Sequence, residues 1–435
     1  MKIKTRLSRI NQLFAHYQIH PLFGLRLVTY PLTALATYLN FWMISSEYGN
    51  SLFNLFLIAW MLIGTVQVLE YALGVQIMNS VAINGYRKSI VREVWKNITF
   101  LGLALSLIYT VLNLPLGNDI LSRYLTRFSS SVSYNPHLLI LVFFIILFLS
   151  GSYQLVSRIL LGLKMNASTQ IAGLTGYILS SAMLCAYVQF SGRPLFLLSF
   201  SLGLSPIALS LMPAIYLVNR IKPNSNIGVV IDSKKFTGFQ YGSIFLVVSI
   251  LSTFNVFFPR VMTKLTGVEL TRYLLTFTVI GIFINIGSSL SQLLWVENLR
   301  SFPSKETALK RYKRAVLGSI ASLPFFVLIS LVLYGIYSKL EINEHAWILI
   351  GLAFLFFFLQ SIHLISSSLI MSKKDLVFAS SFLIVHNIFL IFLSRRENLE
   401  FTPVSYLLIL IVSSIFSNYL PALILVGRRL ARNEA

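Results

Sequence analysis

Long runs of apolar residues, separated by short polar or charged stretches, recur along the whole chain. Residues 138–149 and 348–359 are examples in which no charged side chain interrupts the run. A transmembrane helix needs roughly 20 predominantly apolar residues, and the runs reach that length. The pattern therefore predicts an all-α, polytopic membrane protein with about twelve transmembrane helices. The predicted spans lie near 22–45, 51–80, 97–116, 136–163, 168–190, 194–219, 239–260, 268–295, 316–337, 346–371, 376–394 and 403–427.

A polar segment divides the predicted helices into two equal groups. Residues 220–238 include Pro223, Asn224 and Gly228, a composition typical of a linker, and they follow the sixth predicted span. Because an even number of spans precedes this linker, the two groups have parallel orientation, as in repeats related by an axis along the membrane normal. We expect a six-helix lobe at 1–219, a cytoplasmic linker at 220–238 and a second six-helix lobe at 239–435.

The composition agrees with this prediction. Of the 435 residues, 56% are hydrophobic and 11% are charged, whereas a soluble globular protein carries about 25% charged residues. The spans leave too little chain for a soluble domain of useful size, so any function must lie within the helical bundle. The single cysteine, Cys185, excludes an internal disulfide. The first apolar run continues for a full span, which favours a membrane anchor over a cleaved signal peptide.

The distribution of basic residues predicts the orientation. The formal net charge is +21, and about two thirds of the 35 lysines and arginines fall on one side if the N-terminus is cytoplasmic. Acidic residues show no such bias, which fits the positive-inside rule. Both termini are therefore predicted to be cytoplasmic, with the basic charge facing anionic lipid and not nucleic acid. Residues 305–314 have the pattern of an amphipathic helix at the membrane surface.

Several short motifs lie at the junctions between spans. Residues 70–75 (EYALGV) lead into Asn79-Ser80-Val81-Ala82 and a basic stretch, and Phe23-Gly24 begins the first span. Arg158 is followed by Leu161-Gly162-Leu163, and residues 294–297 (LWVE) precede a helix rich in Lys and Arg. Together these motifs resemble the O-antigen-type polysaccharide flippases of the multidrug/oligosaccharidyl-lipid/polysaccharide exporter superfamily.

The resemblance implies two six-helix lobes around a central cationic cavity in a bacterial plasma membrane protein. Members of that family carry polyprenyl-diphosphate-linked oligosaccharides from the inner to the outer leaflet by alternating access, for surface polysaccharide biosynthesis. In relatives an arginine of the first span lines the cavity, and the matching position here is Arg26. The lipid bilayer and the lipid-linked sugar are then the partners, with a glycan polymerase or other biosynthesis proteins as further candidates. No cofactor is implied.

Ionisable residues inside the spans are the candidate functional groups, because burying each of them costs about 2.5–3.5 kcal/mol at the centre of the bilayer on insertion scales. Arg26, Arg158 and His363 are candidate substrate-binding residues, since a cluster of cations can hold a diphosphate. Glu70 and His386 are candidates for an ion pair or for coupling. Arg158 has a second interpretation, in which its side chain extends to the nearby headgroups.

The amide and proline residues within the spans have roles that the sequence alone does not assign. The amides either bind sugar hydroxyls or only join helices, and the prolines allow a helix to bend. The amides are Asn40, Asn255, Asn285, Gln292 and Gln360, and the prolines are Pro31, Pro206, Pro213 and Pro324.

Two alternative functions compete with the flippase. A drug or small-molecule ion-coupled antiporter of the same superfamily is the main alternative. A membrane glycan polymerase or ligase is less well supported, because the longest predicted outer segment, 117–135, contains only Arg123 and Arg127 as basic residues. The sequence has no P-loop and no His-Glu-x-x-His pattern, so neither ATP hydrolysis nor zinc chemistry is predicted. We therefore expect a transporter and not an enzyme, with no metal site.

Overall fold

The structure of the protein, a computed structural model, describes most of the predicted helices. The described residues are 21–115, 117, 135–163, 165–192, 194–221, 270–284, 294, 304–338, 344–369, 385 and 402–432. Within these ranges the chain forms helices and short connections, and no strand. The all-α prediction is confirmed.

The first five predicted spans form long helices. They are α1 (Pro21–Asn84), α2 (Lys88–Asn113), α3 (Pro136–Gly162) and α4 (Asn166–Phe190). Helix α1 contains two spans, because Gly49 interrupts it with a φ of 72°. Phe41 before this glycine packs edge-on against Phe53 and Phe56 after it, with ring centroids 5.9 and 5.7 Å apart. The chain therefore turns back on itself at Gly49, where a residue with a Cβ would be strained.

The sixth predicted span, 194–219, is broken. It consists of α5 (Phe196–Leu204), α6 (Pro206–Leu209) and α7 (Leu211–Asn219), with a bend of 57° at the break.

The described part of the second half begins with α8 (Leu270–Ile284). Next come α9 (Lys305–Ala321) and α10 (Leu323–Ser338), which are bent by 41°. They are followed by α11 (Glu344–Leu369), α12 (Pro403–Ser414), a π-helix (Ile415–Tyr419) and α13 (Leu420–Arg432).

The observed helices agree with the predicted spans, with two changes of boundary. Helix α2 begins at Lys88, nine residues before the predicted span 97–116. The span predicted at 316–337 begins later, because residues 316–321 continue the amphipathic helix α9. The predicted spans 239–260 and 376–394 lie outside the described residues, apart from Val385, as does most of the predicted linker. Among the described helices, four are long and apolar enough to cross a membrane, or up to six if each bent pair is one span.

Local sequence signals set several helix ends. The Asn135 side chain accepts hydrogen bonds from the backbone N–H groups of His137 and Leu138, and Pro136 occupies the first turn of α3. Ser304 caps α9 by accepting from the Thr307 N–H. These side chains satisfy backbone donors that have no partner within the helix.

The turn at Gly49 is anchored to the turn between α4 and α5. The Tyr48 hydroxyl donates to the Pro194 carbonyl at 3.0 Å and lies 2.8 Å from the Ser199 hydroxyl. Burial raises the pKa of Tyr48 to about 12, so the phenol remains neutral at physiological pH. This contact holds the first hairpin against the beginning of the broken helix.

Tryptophans lie mostly where the spans end. Trp42, Trp95 and Trp347 are exposed on the helical bundle, as expected for indoles that favour the headgroup layer. Trp60 instead packs against Phe41, with ring centroids 5.5 Å apart. Trp295 lies outside the described residues.

Candidate transport site

The five residues predicted as functional are not all described. Arg26 and Glu70 lie within α1, but their side chains fall outside the described part, and His386 falls outside it altogether. Arg158 on α3 and His363 on α11 are described, and they belong to different halves of the chain.

Arg158 is buried between helices of the first half. Its side chain is only 2% exposed, and its Nη1 lies 3.9 Å from the Sδ atom of Met78 on α1. The guanidinium therefore lies within the protein and does not extend to the headgroups. Met78 follows Glu70 by eight residues on the same helix, which corresponds to about 12 Å. The helix that carries Glu70 thus packs against the helix that carries Arg158.

A close helix contact lies one turn beyond Arg158. A Cβ atom added to Gly162 would lie 2.7 Å from the Val81 Cβ and 2.8 Å from the Met78 carbonyl oxygen. Because only glycine allows this approach, α1 and α3 are in near-backbone contact where Arg158 is buried.

His363 lies in a polar cluster of the second half. Its Nδ1 is buried without a hydrogen-bond partner among the described residues, and its ring lies edge-on to Tyr419 with centroids 5.5 Å apart. Tyr419 in turn donates a hydrogen bond of 3.0 Å to the Gln360 Oε1. Gln360, one of the amides with two possible roles, therefore joins α11 to the π-helix.

Asn40 joins three helices of the first half. Its Nδ2 donates to the Ser180 hydroxyl at 3.2 Å and to the Gly203 carbonyl at 3.4 Å. Its Oδ1 is buried without a hydrogen-bond partner in the described part of the chain. Asn40 thus connects helices, and it retains one unused acceptor in the interior.

The break between α5 and α6 has its own polar partners. Ser180 donates to the Leu202 carbonyl at 2.6 Å, and the same carbonyl accepts from the Ser205 hydroxyl at 2.8 Å. These donors take the place of the backbone N–H that Pro206 lacks. Gly176 of α4 fits against the break, since a Cβ there would lie 2.1 Å from the Pro206 carbonyl oxygen. Discontinuous helices of this kind commonly form binding sites in transporters.

The two halves are joined by a buried hydrogen bond. The Thr271 hydroxyl on α8 donates to the Asn54 Oδ1 on α1 at 3.0 Å, although the residues are 217 positions apart in sequence. Both side chains are buried. In the predicted orientation this contact lies at the outer ends of the second and eighth spans, so the halves touch there.

Arg272, next to this contact, was not among the sequence candidates. Its Nε is buried without a hydrogen-bond partner among the described residues. Arg272 stands near the outer start of the predicted span 268–295, so the count of basic residues assigned it to the outer loops. Only its position beside Thr271, at the contact between the halves, distinguishes it.

Among the described side chains of the predicted spans, the basic groups are Arg158, Arg272, His363 and, at the exposed start of α3, His137. The same set of side chains contains no Asp or Glu. Nor does the described part of the chain hold a group of three or more His, Cys, Asp or Glu residues that could bind a metal. Of these groups, Arg158 and Arg272 carry a permanent positive charge.

Comparison by sequence finds no match. The chain matches no protein-family model and no curated protein.

Comparison by structure finds clear neighbours. An outward-facing multidrug resistance MATE family transporter of the MOP superfamily gives a TM-score of 0.62 at 12% identity, covering 95% of this chain and 96% of the other. A MATE protein in the straight conformation gives 0.62 at 14% identity, with 94% and 95% covered. A MOP superfamily transporter from Pyrococcus furiosus gives 0.58 at 14% identity, with 95% and 97% covered. The chain therefore has the fold of the MATE transporters, and it is a multi-pass, all-α membrane protein of two lobes.

Proposed function

We propose that the protein is a flippase of the multidrug/oligosaccharidyl-lipid/polysaccharide exporter superfamily. Its cargo is a polyprenyl-diphosphate-linked oligosaccharide, moved from the inner to the outer leaflet of a bacterial plasma membrane by alternating access. The observation that carries this proposal is the charge of the described side chains of the spans, where Arg158, Arg272, His363 and His137 occur without a carboxylate. Both termini are cytoplasmic in this proposal, and glycan biosynthesis proteins such as a polymerase are the partners.

The physical properties of this cargo fit a cationic interior. A diphosphate and its sugars would lose their hydrogen bonds to water in hydrocarbon, at a cost of several kcal/mol for each unpaired group. An arginine offers a planar fork of donors that matches phosphate oxygens. The polyprenyl chain, by contrast, gains about 0.8 kcal/mol for each CH₂ group that stays in lipid. A passage between two lobes accommodates both parts, with the head inside and the tail in the bilayer.

An ion-coupled drug antiporter is the second candidate, and the names of the structural neighbours favour it. Two of the three structures compared above are MATE proteins, and one of them is called a multidrug resistance transporter. Glu70 supplies a carboxylate within a span for such a mechanism. The Pyrococcus furiosus transporter is a different case, since a reverse polarity of its binding pocket suggests a different function for it.

A reconstitution experiment distinguishes the two candidates. The full-length protein is placed in liposomes together with a fluorescently labelled polyprenyl-diphosphate sugar, and its movement between leaflets is followed by a quencher that does not cross the membrane. Ethidium uptake is measured in parallel as the drug probe. If the protein is a flippase, labelled lipid that starts in the inner leaflet should reach the outer leaflet and be quenched only in liposomes that contain the protein. Ethidium should not be taken up. Ethidium uptake without movement of the labelled lipid would establish the antiporter instead.

A further inference from the structure

The polar cluster around His363 lies at an irregular point of the fold. Tyr419, whose ring meets His363, is the last residue of the π-helix Ile415–Tyr419. A π-helix inserts one extra residue into an α-helix, is costly in isolation and is frequently found at functional sites. Its position here brings the Tyr419 hydroxyl to the Gln360 side chain, one turn before His363 on α11.

The same cluster is connected to the basic surface helix. The Tyr312 hydroxyl on α9 lies 2.8 Å from the hydroxyl of Ser366, which follows His363 by one turn. Ala308 anchors α9 through a small apolar core that includes Leu369 and Val426. Tyr312 and Ser366 therefore place polar side chains one helical turn from His363, on the side of the predicted cytoplasmic surface.

None of the described contacts of His363 supplies a negative charge. The described elements packed against α11 are α9, α10, α12, the π-helix and α13. From these, Tyr419 contacts the imidazole directly, and Tyr312 contacts Ser366, one turn from His363 on α11. No ion pair or hydrogen bond joins His363 to a described carboxylate. The remaining titratable groups of those elements with described side chains are Lys305, Glu306, Lys310, Arg311, Lys313, Arg314, Tyr334, Tyr406 and Arg428.

A nitrogen in this position gains a proton only if its surroundings change. A buried charge without a counter-charge or a hydrogen-bond partner is strongly unfavourable, so the imidazolium needs water or a moved neighbour. The Tyr419 ring is close enough to support a cation, since cation–π contacts reach about 6 Å. Protonation of His363 therefore requires a change in the surroundings of its Nδ1 atom.

We propose that His363 is a proton-binding site whose occupation is coupled to the conformational cycle of the transporter. A proton from water on one side of the membrane bonds to the Nδ1 lone pair, which gives an imidazolium ion. The proton is returned to water on the other side when the halves rearrange, and no other bond changes. This inference rests on the proposed function in so far as it requires a transport cycle, but it does not depend on the cargo.

The protonation itself is tested by NMR on the full-length protein in nanodiscs. With ¹⁵N-labelled histidine, six residues contribute signals, and His363→Gln identifies the signal of His363. We expect this signal to change from the neutral to the charged form as pH falls from about 8 to about 5, the range in which histidine switches. A signal that stays in one form throughout this range contradicts the proposal.

The coupling is tested by distances between the halves. Spin labels at Ser46 and Glu344, both exposed at the predicted outer surface, are introduced in a Cys185→Ser background. In the parent protein, we expect the ratio of molecules with a short label-to-label distance to those with a long one to change about tenfold across the same pH range. In His363→Gln this ratio should not depend on pH. His137→Gln, at an exposed histidine, serves as the control and should behave like the parent.

The outcomes separate this inference from the proposed function. If His363→Gln keeps the full pH dependence, or if the parent shows none, the proton site is wrong whatever the cargo. If the pH dependence is lost in His363→Gln while the labelled polyprenyl-diphosphate lipid does not move, the proton site stands and the flippase proposal fails.

Discussion

Arg158 is the side chain with the most demanding environment among the described residues. It is one of the largest fully buried side chains, and it lies where α1 and α3 approach most closely. A cation at such a position is retained at a cost of about 2.5–3.5 kcal/mol on insertion scales. Under the flippase proposal Arg158 holds an anion, whereas an apolar residue would pack between the helices without this cost.

Replacement of Arg158 by methionine should remove transport without preventing insertion. Methionine fills much of the same volume next to Met78 but lacks the donors that bind phosphate. Hydrogen bonds to charged groups contribute about 1.5–3 kcal/mol, so the initial rate of labelled-lipid movement should fall about ten- to hundredfold. Arg220→Met, at an exposed arginine stacked on Tyr216, is the control. An inserted Arg158→Met protein with the full rate would exclude the proposed role.

Gly162→Ala should destabilise the first half. The added methyl group would lie 2.7 Å from the Val81 Cβ, and overpacking of this kind costs about 1–3 kcal/mol. We expect a lower midpoint of thermal unfolding in detergent. Gly351→Ala, where nothing lies within 4 Å of the added atom, should leave the midpoint unchanged or raise it. Equal midpoints for Gly162→Ala and the parent would show that the helices are not in close contact.

At the residue scale, the sequence was enough to identify isolated ionisable residues within the spans. It did not reveal contacts between residues that are distant in the chain. Arg158 and His363 stand out because ionisable residues are rare in apolar runs. The Asn54–Thr271 bond joins positions 217 residues apart, so no local pattern reveals it. Arg272 was overlooked for the same reason, because its significance comes from that contact and not from its own surroundings in the sequence.

At the scale of helices, the length of each apolar run determined where most of the helices lie. Helices α2, α3, α4 and α11 lie where apolar runs predicted them, since a helix is one of the few ways to satisfy the backbone inside lipid. The break before Pro206 could not be singled out among four prolines. The break depends on two residues of α4. Gly176 leaves room for the bend, and Ser180 donates a hydrogen bond to the Leu202 carbonyl. No local sequence pattern predicts the π-helix at Ile415–Tyr419 either.

The contact between α1 and α8 should control how far the halves separate. Thr271→Val keeps the shape of the side chain but removes the donor, which leaves the buried Asn54 Oδ1 unpaired at a cost of about 1–3 kcal/mol. The population with separated outer ends should therefore increase about tenfold or more. It is measured as the far distance between spin labels at Ser46 and Glu344.

A second threonine provides the matched control for this variant. Thr110 is exposed and donates only to the Ser106 carbonyl of its own helix. Thr110→Val should leave the distance distribution as in the parent. An unchanged distribution in Thr271→Val would mean that the bond does not hold the halves together.

At the scale of the whole molecule, the fold persists while the sequence does not. Identities of 12% and 14% accompany TM-scores of 0.62 to known MATE structures, because spans of apolar residues tolerate extensive exchange. The all-α, two-lobe architecture was predictable from hydropathy and loop composition for that reason. The cargo was not, because it depends on a few polar side chains that the shared fold does not determine.

Deletion of the gene in its native bacterium tests the central claim most directly. The flippase proposal expects lipid-linked oligosaccharide units to accumulate in the inner leaflet, where their sugars are inaccessible to probes added outside the cell. Expression of the intact protein should relieve this accumulation, and the Arg158→Met variant should not. The account would be contradicted if the deletion caused no accumulation and the cells instead became sensitive to drugs.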